Sequence, residues 1–407
     1  MTNSFSPDEL IVIRGRGRVS ALGQSLDTFG TSSPFTTRQT GLHSLPIAAL
    51  PPEAEAALQE LRRSQTAYRQ LDRTVLLGLL ASRQATSAAG WDNARPVSPD
   101  PREAEISVSM GSSRGATGRL EEFHAEFLRE GSVPVAASPL TTLGNVASWV
   151  AYDAGSTGGA NLSHSSTCSS AFQALGNAMA WLRAGMTTRF LAGGTEAPLT
   201  DFTLAQMQAI GIYSPFAAQD FPCRPGAGKP STFVLGEGAA VFALEKVFAA
   251  SLAEQPRNQV AVLEGVGFGF EAIGSKTGLS VDGKHFQQAM RQALGQSGCA
   301  LHEVDAVVLH SPGTPAGDAA ERAALRAVFG EALPLLLSNK WLIGHTLGAS
   351  AALSLDFALH VLETQQWPRP PFPTDLSVPS GARPLRRILV NAAGFGGNAA
   401  SVIVSLR

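Results

Sequence analysis

The chain has 407 residues, 44% hydrophobic and only 16% charged, with Lys+Arg 31 against Asp+Glu 33. So much apolar content with so little charge implies a large interior and excludes a disordered chain. The length allows two or three domains, or one large two-part body. No basic excess exists to neutralise phosphates, so general nucleic-acid binding is excluded.

Three cysteines, Cys168, Cys223 and Cys299, make neither a disulfide framework nor a CxxC knuckle. That suits a reducing compartment and predicts a cytoplasmic protein. The N-terminal run MTNSFSPDELIVIRGRGRV lacks the charged start, apolar core and cleavage site of a signal peptide. Arg83 interrupts the apolar run from Thr74, and no stretch reaches the roughly 18 apolar residues of a membrane span.

In chain order, residues 10–14 (LIVIR) predict a strand running into Gly15-Arg16-Gly17. An exposed amphipathic helix is expected from Pro51 to Arg73, and a turn-rich loop over 92–103. Residues 106–110 predict a strand, and Asn161–Thr167 another. A helix of small residues is expected from about Cys168, then the turn Gly236-Glu237-Gly238 and an apolar strand. The second half repeats this order: strands at 260–264 and 305–309, a small-residue helix after His345, then Gly394–Gly397 and a closing strand. Such self-similarity predicts two related halves. They divide as 1–247 and 248–407 in the polar stretch Val247–Asn258. Alternating helices and strands predict an α/β architecture. Both small-residue helices are apolar almost all round, so they are expected to be buried.

Some glycine motifs mislead. Gly15-Arg16-Gly17 follows a strand as a dinucleotide loop does, but Ser20 occupies the third glycine position and Asp27 comes too early. GEGAA and GVGFGF lack the Lys-Ser/Thr of a phosphate loop and read as tight turns.

Cys168 is the sharpest feature. A cysteine between a strand and a helix start meets backbone N–H groups and the positive end of the helix dipole, and so leans towards thiolate. The competing reading is a small buried cysteine that fills a gap. His310 ends an apolar strand, while His345 follows Gly344 and matches Cys168 in the internal repeat. Packed about a pseudo-twofold axis, the halves would bring Cys168, His310 and His345 into one pocket. Both imidazoles satisfied by backbone bonds is the alternative. No fourth ligand or metal spacing is present, so no metal is expected. Lys340 and Glu321 flank the histidine loops, as a buried network or as ordinary surface charges. The glycines of Gly394-Phe395-Gly396-Gly397 allow backbone N–H groups to approach a substrate oxygen.

At these residues the sequence resembles the β-ketoacyl-ACP synthases of the elongating, decarboxylating type, within the thiolase superfamily. The match runs through Thr167-Cys168-Ser169, Ala192-Gly193-Gly194-Thr195-Glu196 and Phe233-Val234-Leu235-Gly236-Glu237-Gly238. It continues through His310…Gly313-Thr314-Pro315…Gly317-Asp318…Glu321 and Lys340…Gly344-His345, and ends in Gly394-Phe395-Gly396-Gly397. The resemblance implies a thiolase-like fold, five-layered αβαβα, with two pseudo-symmetric halves. It implies a decarboxylative condensation of malonyl-ACP with an acyl group held on Cys168. His310 and His345 would stabilise the enolate, and the N–H groups of Cys168 and Phe395 would form a second oxyanion hole. Phe395 would also act as a gate, and Lys340 with Glu321 would orient His310.

Free-standing length and no fused carrier domain imply a type II fatty-acid-like or polyketide system, with the aryl-polyene synthases among those resembled. The partners implied are an acyl carrier protein, which brings its own phosphopantetheine arm, and a second ketosynthase-like subunit in a homodimer or heterodimer. No other cofactor is implied. Arg62, Arg63, Arg69 and Arg224 are candidates for docking the acidic carrier. The alternative is a non-catalytic subunit resembling a chain-length factor.

Three departures stand out. Ser311-Pro312 replaces the usual Gly-Thr after His310, although Thr314 keeps one pantetheine-binding hydroxyl. Residues 225–232 lack the usual acidic and arginine pattern. Arg114 occupies the place of an apolar acyl-pocket gate, where a guanidinium is expensive unless paired.

Overall fold

The structure is a computed structural model that describes residues 9–26, 29–30, 32–41, 43–91, 105–143, 145–253, 259–272, 280–378 and 384–407. The loop expected over 92–103 lies outside these. Ten strands build the main sheet: β1 (Glu9–Val19), β4 (Ser107–Gly111), β5 (Asn161–His164), β6 (Arg189–Glu196), β7 (Gly238–Phe248), β8 (Ala261–Phe270), β9 (Ala306–Val308), β10 (Leu335–Leu337), β11 (Arg387–Gly394) and β12 (Asn398–Leu406). A separate hairpin pairs β2 (Thr36–Thr40) with β3 (His43–Ile47).

The order across the sheet is β10-β9-β11-β12-β8-β1-β7-β6-β4-β5. Counted outwards from the middle, each half presents its first, fifth, fourth, second and third strand. In both halves the inner pairs are antiparallel and the outer pairs parallel. Within the sheet the halves meet through β1 and β8, at Val12↔Val262 and Ile13↔Ala261.

Four helices make the layers: α1 (Arg73–Ala88), α2 (Ser170–Arg183), α3 (Lys284–Ser297) and α4 (Ser350–Thr364). α1 covers the outer face of the first half and α3 that of the second, while α2 and α4 pack on each other between the halves. Their residues, such as Phe172, Leu175, Leu355 and Leu359, belong to one buried core shared by both halves. Full burial of a large aliphatic or aromatic side chain contributes about 1.5–3 kcal/mol; α4 is buried from Ser350 to Leu362, whereas α2 leaves Gln173, Asn177 and Ala180 less covered.

The glycine motifs are corrected by the structure. Gly15 and Gly17 lie within β1, and an added Cβ would fall on the carbonyl oxygens of Ala85 and Ala81 in α1. GVGFGF is likewise strand β8, not a turn. There a Cβ at Gly265, Gly267 or Gly269 would fall on the carbonyls of Ala293, Ala289 or His285 in α3. These glycines let a helix lie flush on a strand, a close approach that only a missing side chain permits.

Three helix boundaries also differ from expectation. The segment from Pro51 breaks into the helix Pro52–Ser64 and a 3₁₀ turn Thr66–Gln70 before α1. α2 starts two residues after Cys168, at Ser170. A 3₁₀ turn, Leu347–Ala349, separates His345 from α4. Among the described residues no helix is long and apolar enough to cross a membrane.

Candidate active site

The chain reaches Cys168 through Thr167, which has φ +55°. That left-handed conformation is costly for a β-branched residue. The Thr167 hydroxyl lies 3.2 Å from the Phe395 carbonyl, to which it donates. Gly394 ends β11 so close by that a Cβ there would fall on Thr167 Oγ1 and 2.8 Å from Cys168 N. The final glycine turn, with Gly396 at φ +93°, is thus pressed against the cysteine turn.

The Cys168 thiol is 8% exposed. Burial first, then the Glu196 carboxylate, pushes it up to about 12, against the pull of Lys340 and Arg114. The expected lean towards thiolate is therefore corrected. The sulfur stands two residues before α2, and desolvation outweighs the helix end.

His345 is buried, its N–H bonded to the Val234 carbonyl at 2.8 Å and its carbonyl to Gly236 N at 3.1 Å. Its Nδ1 accepts from Leu347 N at 3.0 Å, so the ring proton sits on Nε2. Burial, and next the charge of Lys340, pushes the ring down to about 3. The His310 ring lies 5.3 Å from it, edge-on at 83°. Burial and then the charges of His345 and Lys340 hold His310 well below the usual histidine range. Both imidazoles are neutral at pH 7.

Glu321 fixes His310 through the backbone. Its carboxylate accepts from His310 N at 2.9 Å, from Ser311 N and Oγ at 2.8 and 2.7 Å, and from Asn391 Nδ2 at 3.1 Å. The Ser311 departure has its reason here, because that hydroxyl also accepts from Arg322 at 2.5 Å, while Arg322 grips Asp375 with two bonds of 2.7 Å. Lys340 is buried and gives its bonds to Ser354 Oγ at 2.8 Å and Asn339 Oδ1 at 3.3 Å. It acts on Glu321 and Cys168 through charge across space, and burial lowers it to about 8.

Cys168, His310, His345, Thr314, Gly394 and Phe395 line one cavity of about 80 Å³. Phe395 stands at its edge, 45% exposed. Arg114 does not line it, which corrects the expectation. Its guanidinium bonds Gln206 Oε1 at 2.7 Å instead, the pairing that makes a half-buried charge tolerable. Met207 and Ile212 supply the apolar wall.

Arg62 and Arg63 lie in the last turn of the helix Pro52–Ser64, and Arg62 bonds the Arg69 carbonyl at 3.0 Å. Arg62 lines a larger, separate cavity of about 410 Å³ with Arg38, Arg73 and Arg119. Arg224 stacks 3.6 Å from the Phe216 ring centre on a different loop.

Sequence reasoning missed Glu196 as a site residue. This fully buried carboxylate ends β6 and accepts from Ser112 Oγ, Ser113 N, Arg114 N and Gly348 N at 2.6–3.1 Å. It ties the loop after β4 to the loop after His345. Its signal was a carboxylate closing a strand whose interior, Phe190–Thr195, carries no charge.

Residues 38–250 match the family profile of the β-ketoacyl synthase N-terminal domain, and 260–371 that of the C-terminal domain. The chain is 31% identical to the tetracenomycin polyketide synthase ketoacyl synthase alpha subunit of Streptomyces glaucescens, over 82% of this chain and 81% of that one. It is 26% identical to a 3-oxoacyl-[acyl-carrier-protein] synthase 2 of Staphylococcus aureus, over 98% of this chain and 99% of that one. The crystal structure of a β-ketoacyl synthase from Burkholderia phymatum superimposes with a TM-score of 0.80 at 26% identity, covering 98% and 99% of the two chains. The fold is thiolase-like, and its class is that of acyltransferases. The chain belongs to the β-ketoacyl synthase family of type II fatty-acid and polyketide systems.

Proposed function

We propose that this protein is the catalytic condensing subunit, with Cys168 as acyl acceptor and His310 and His345 as the enolate-binding donors. The observation that carries this reading is the convergence of one thiol and two neutral imidazoles on one cavity. In the first step Cys168 Sγ bonds the acyl carbon, the carrier thioester bond breaks, and the cysteine proton goes to the departing carrier thiol. In the second, carrier-bound malonyl loses carbon dioxide, and the electron pair of the broken bond becomes an enolate. Two Nε2–H donors stabilise the oxygen. One such donor is typically worth about 2.7–4 kcal/mol. The enolate carbon then bonds the acyl carbon and the Cys168 sulfur leaves as thiolate. A thiol pushed up to about 12 recovers its proton from water at once.

Lys340 and Glu321 serve as positioning residues, Glu321 through the His310 backbone. The N–H groups of Cys168 and Phe395 form the oxyanion hole for acyl transfer. An acidic carrier protein is the partner, docking at Arg62, Arg63, Arg69 or Arg224, and the carrier's phosphopantetheine is the only prosthetic arm. A dimer, with itself or with a second ketosynthase-like subunit, is the assembly. Intact-mass spectrometry after incubation with acyl-ACP tests the reading. An acyl adduct that Cys168→Ala abolishes supports it, and no adduct on wild type points to the non-catalytic chain-length-factor role.

A further inference from the structure

Phe286 belongs to none of the motifs above, yet it lines the cavity with Cys168, His310 and His345. Its side chain is buried, and its ring lies 6.2 Å from that of His310. On the other imidazole, the Phe233 ring lies 5.4 Å from His345. The oxygen-binding pair is flanked by two phenyl groups.

Phe286 has no room to retreat. It sits in the first turn of α3, which the glycines at 265, 267 and 269 hold flush against β8. The ring of its neighbour His285 is 4.6 Å away and fully buried, with Nδ1 bonded to Glu271 Oε2 at 3.1 Å. Glu271 in turn donates its N–H to the Gly397 carbonyl at 3.0 Å, in the turn that carries Phe395. The wall is braced from behind.

The cavity of about 80 Å³ is bounded on the His310 side by the Phe286 ring. An oxygen held between the two imidazoles brings its carbonyl carbon and the adjacent C2 into that same space. Phe286 bounds that space beside His310, so a methyl on C2 that points to this side meets a ring braced by His285. Resting on the condensation reading above, we infer that Phe286 is a specificity-determining residue. It admits an unsubstituted malonyl thioester and rejects extenders branched at C2.

The test supplies protein acetylated on Cys168 with malonyl-pantetheine or 2-methylmalonyl-pantetheine and reads condensed product by mass spectrometry. Wild type is expected to prefer malonyl by about tenfold or more, the discrimination one methyl group supports. Phe286→Ala should cut that ratio by about fivefold or more. Phe286→Leu, which keeps more apolar volume, should cut it less and covers the case where the alanine variant fails to fold. Malonyl product with an undiscriminating wild type, or an unchanged ratio in the folded variants, overturns this inference alone. Product from neither extender in wild type takes down the condensation reading together with it.

Discussion

The two halves put different chemistry at the same place. In the first, β5 and the turn through Thr167 deliver a sulfur two residues before α2. In the second, Gly344 at φ +63° delivers an imidazole, and a 3₁₀ turn intervenes before α4. The sulfur is carried on a strained turn that the glycine loop presses against. The imidazole is locked by its own Nδ1 and by two backbone bonds. One scaffold, used twice, thus supplies a thiol from one side and an imidazole from the other.

Exchanging these roles by mutation sharpens the contrast. Cys168→Ala should abolish the acyl adduct and lower condensation by about 10³-fold or more, read as product per unit time. His345→Ala should lower condensation by about 10²–10³-fold, while acyl transfer to Cys168, followed by mass, changes far less. Equal losses in both steps would erase the division of labour between the halves. Glu321→Ala strands the buried N–H groups of His310 and Ser311, and should lower unfolding free energy by about 3 kcal/mol. Urea denaturation reads this, and Glu321→Gln should restore part of it. Gly394→Ala drives a methyl against Thr167 and Cys168 N, so activity should fall about tenfold, with only the first half's contribution disturbed.

The smallest effect concerns pH. The His345 ring sits at about 3, below its ordinary 6.5, so the unfolded chain binds the proton more readily. Its contribution is complete above pH 6.5 and is lost as pH falls towards 3. Melting temperatures between pH 7.5 and 5 should therefore fall, and His345→Gln should flatten that slope. His310 shifts in the same direction, so part of the slope should persist.

Much of this was legible in the sequence, because a repeated order of strand, helix and glycine turn is a covalent pattern. So were Cys168, His310 and His345, each sitting at an abrupt change between apolar run and turn. The β1 and β8 glycines were not, because Gly-x-Gly reads locally as a loop and only the helix across from it explains the gap. Arg114 escaped for a similar reason. Its partner Gln206 is 92 residues away, and the sequence carries no sign of that pairing. The protonated state of Cys168 was misread because a helix end is visible in sequence whereas depth of burial is not.

The seam between the halves carries a mechanical consequence. Only two residue pairs stitch β1 to β8, so the alignment of thiol with imidazoles depends on α2 gripping α4 and on the backbone bonds that tie His345 to Val234 and Gly236. Mild denaturant that loosens this grip should part nucleophile from donors while each five-stranded layer is still intact. Loss of acyl labelling ahead of loss of far-UV dichroism would reveal a catalyst that fails at its waist.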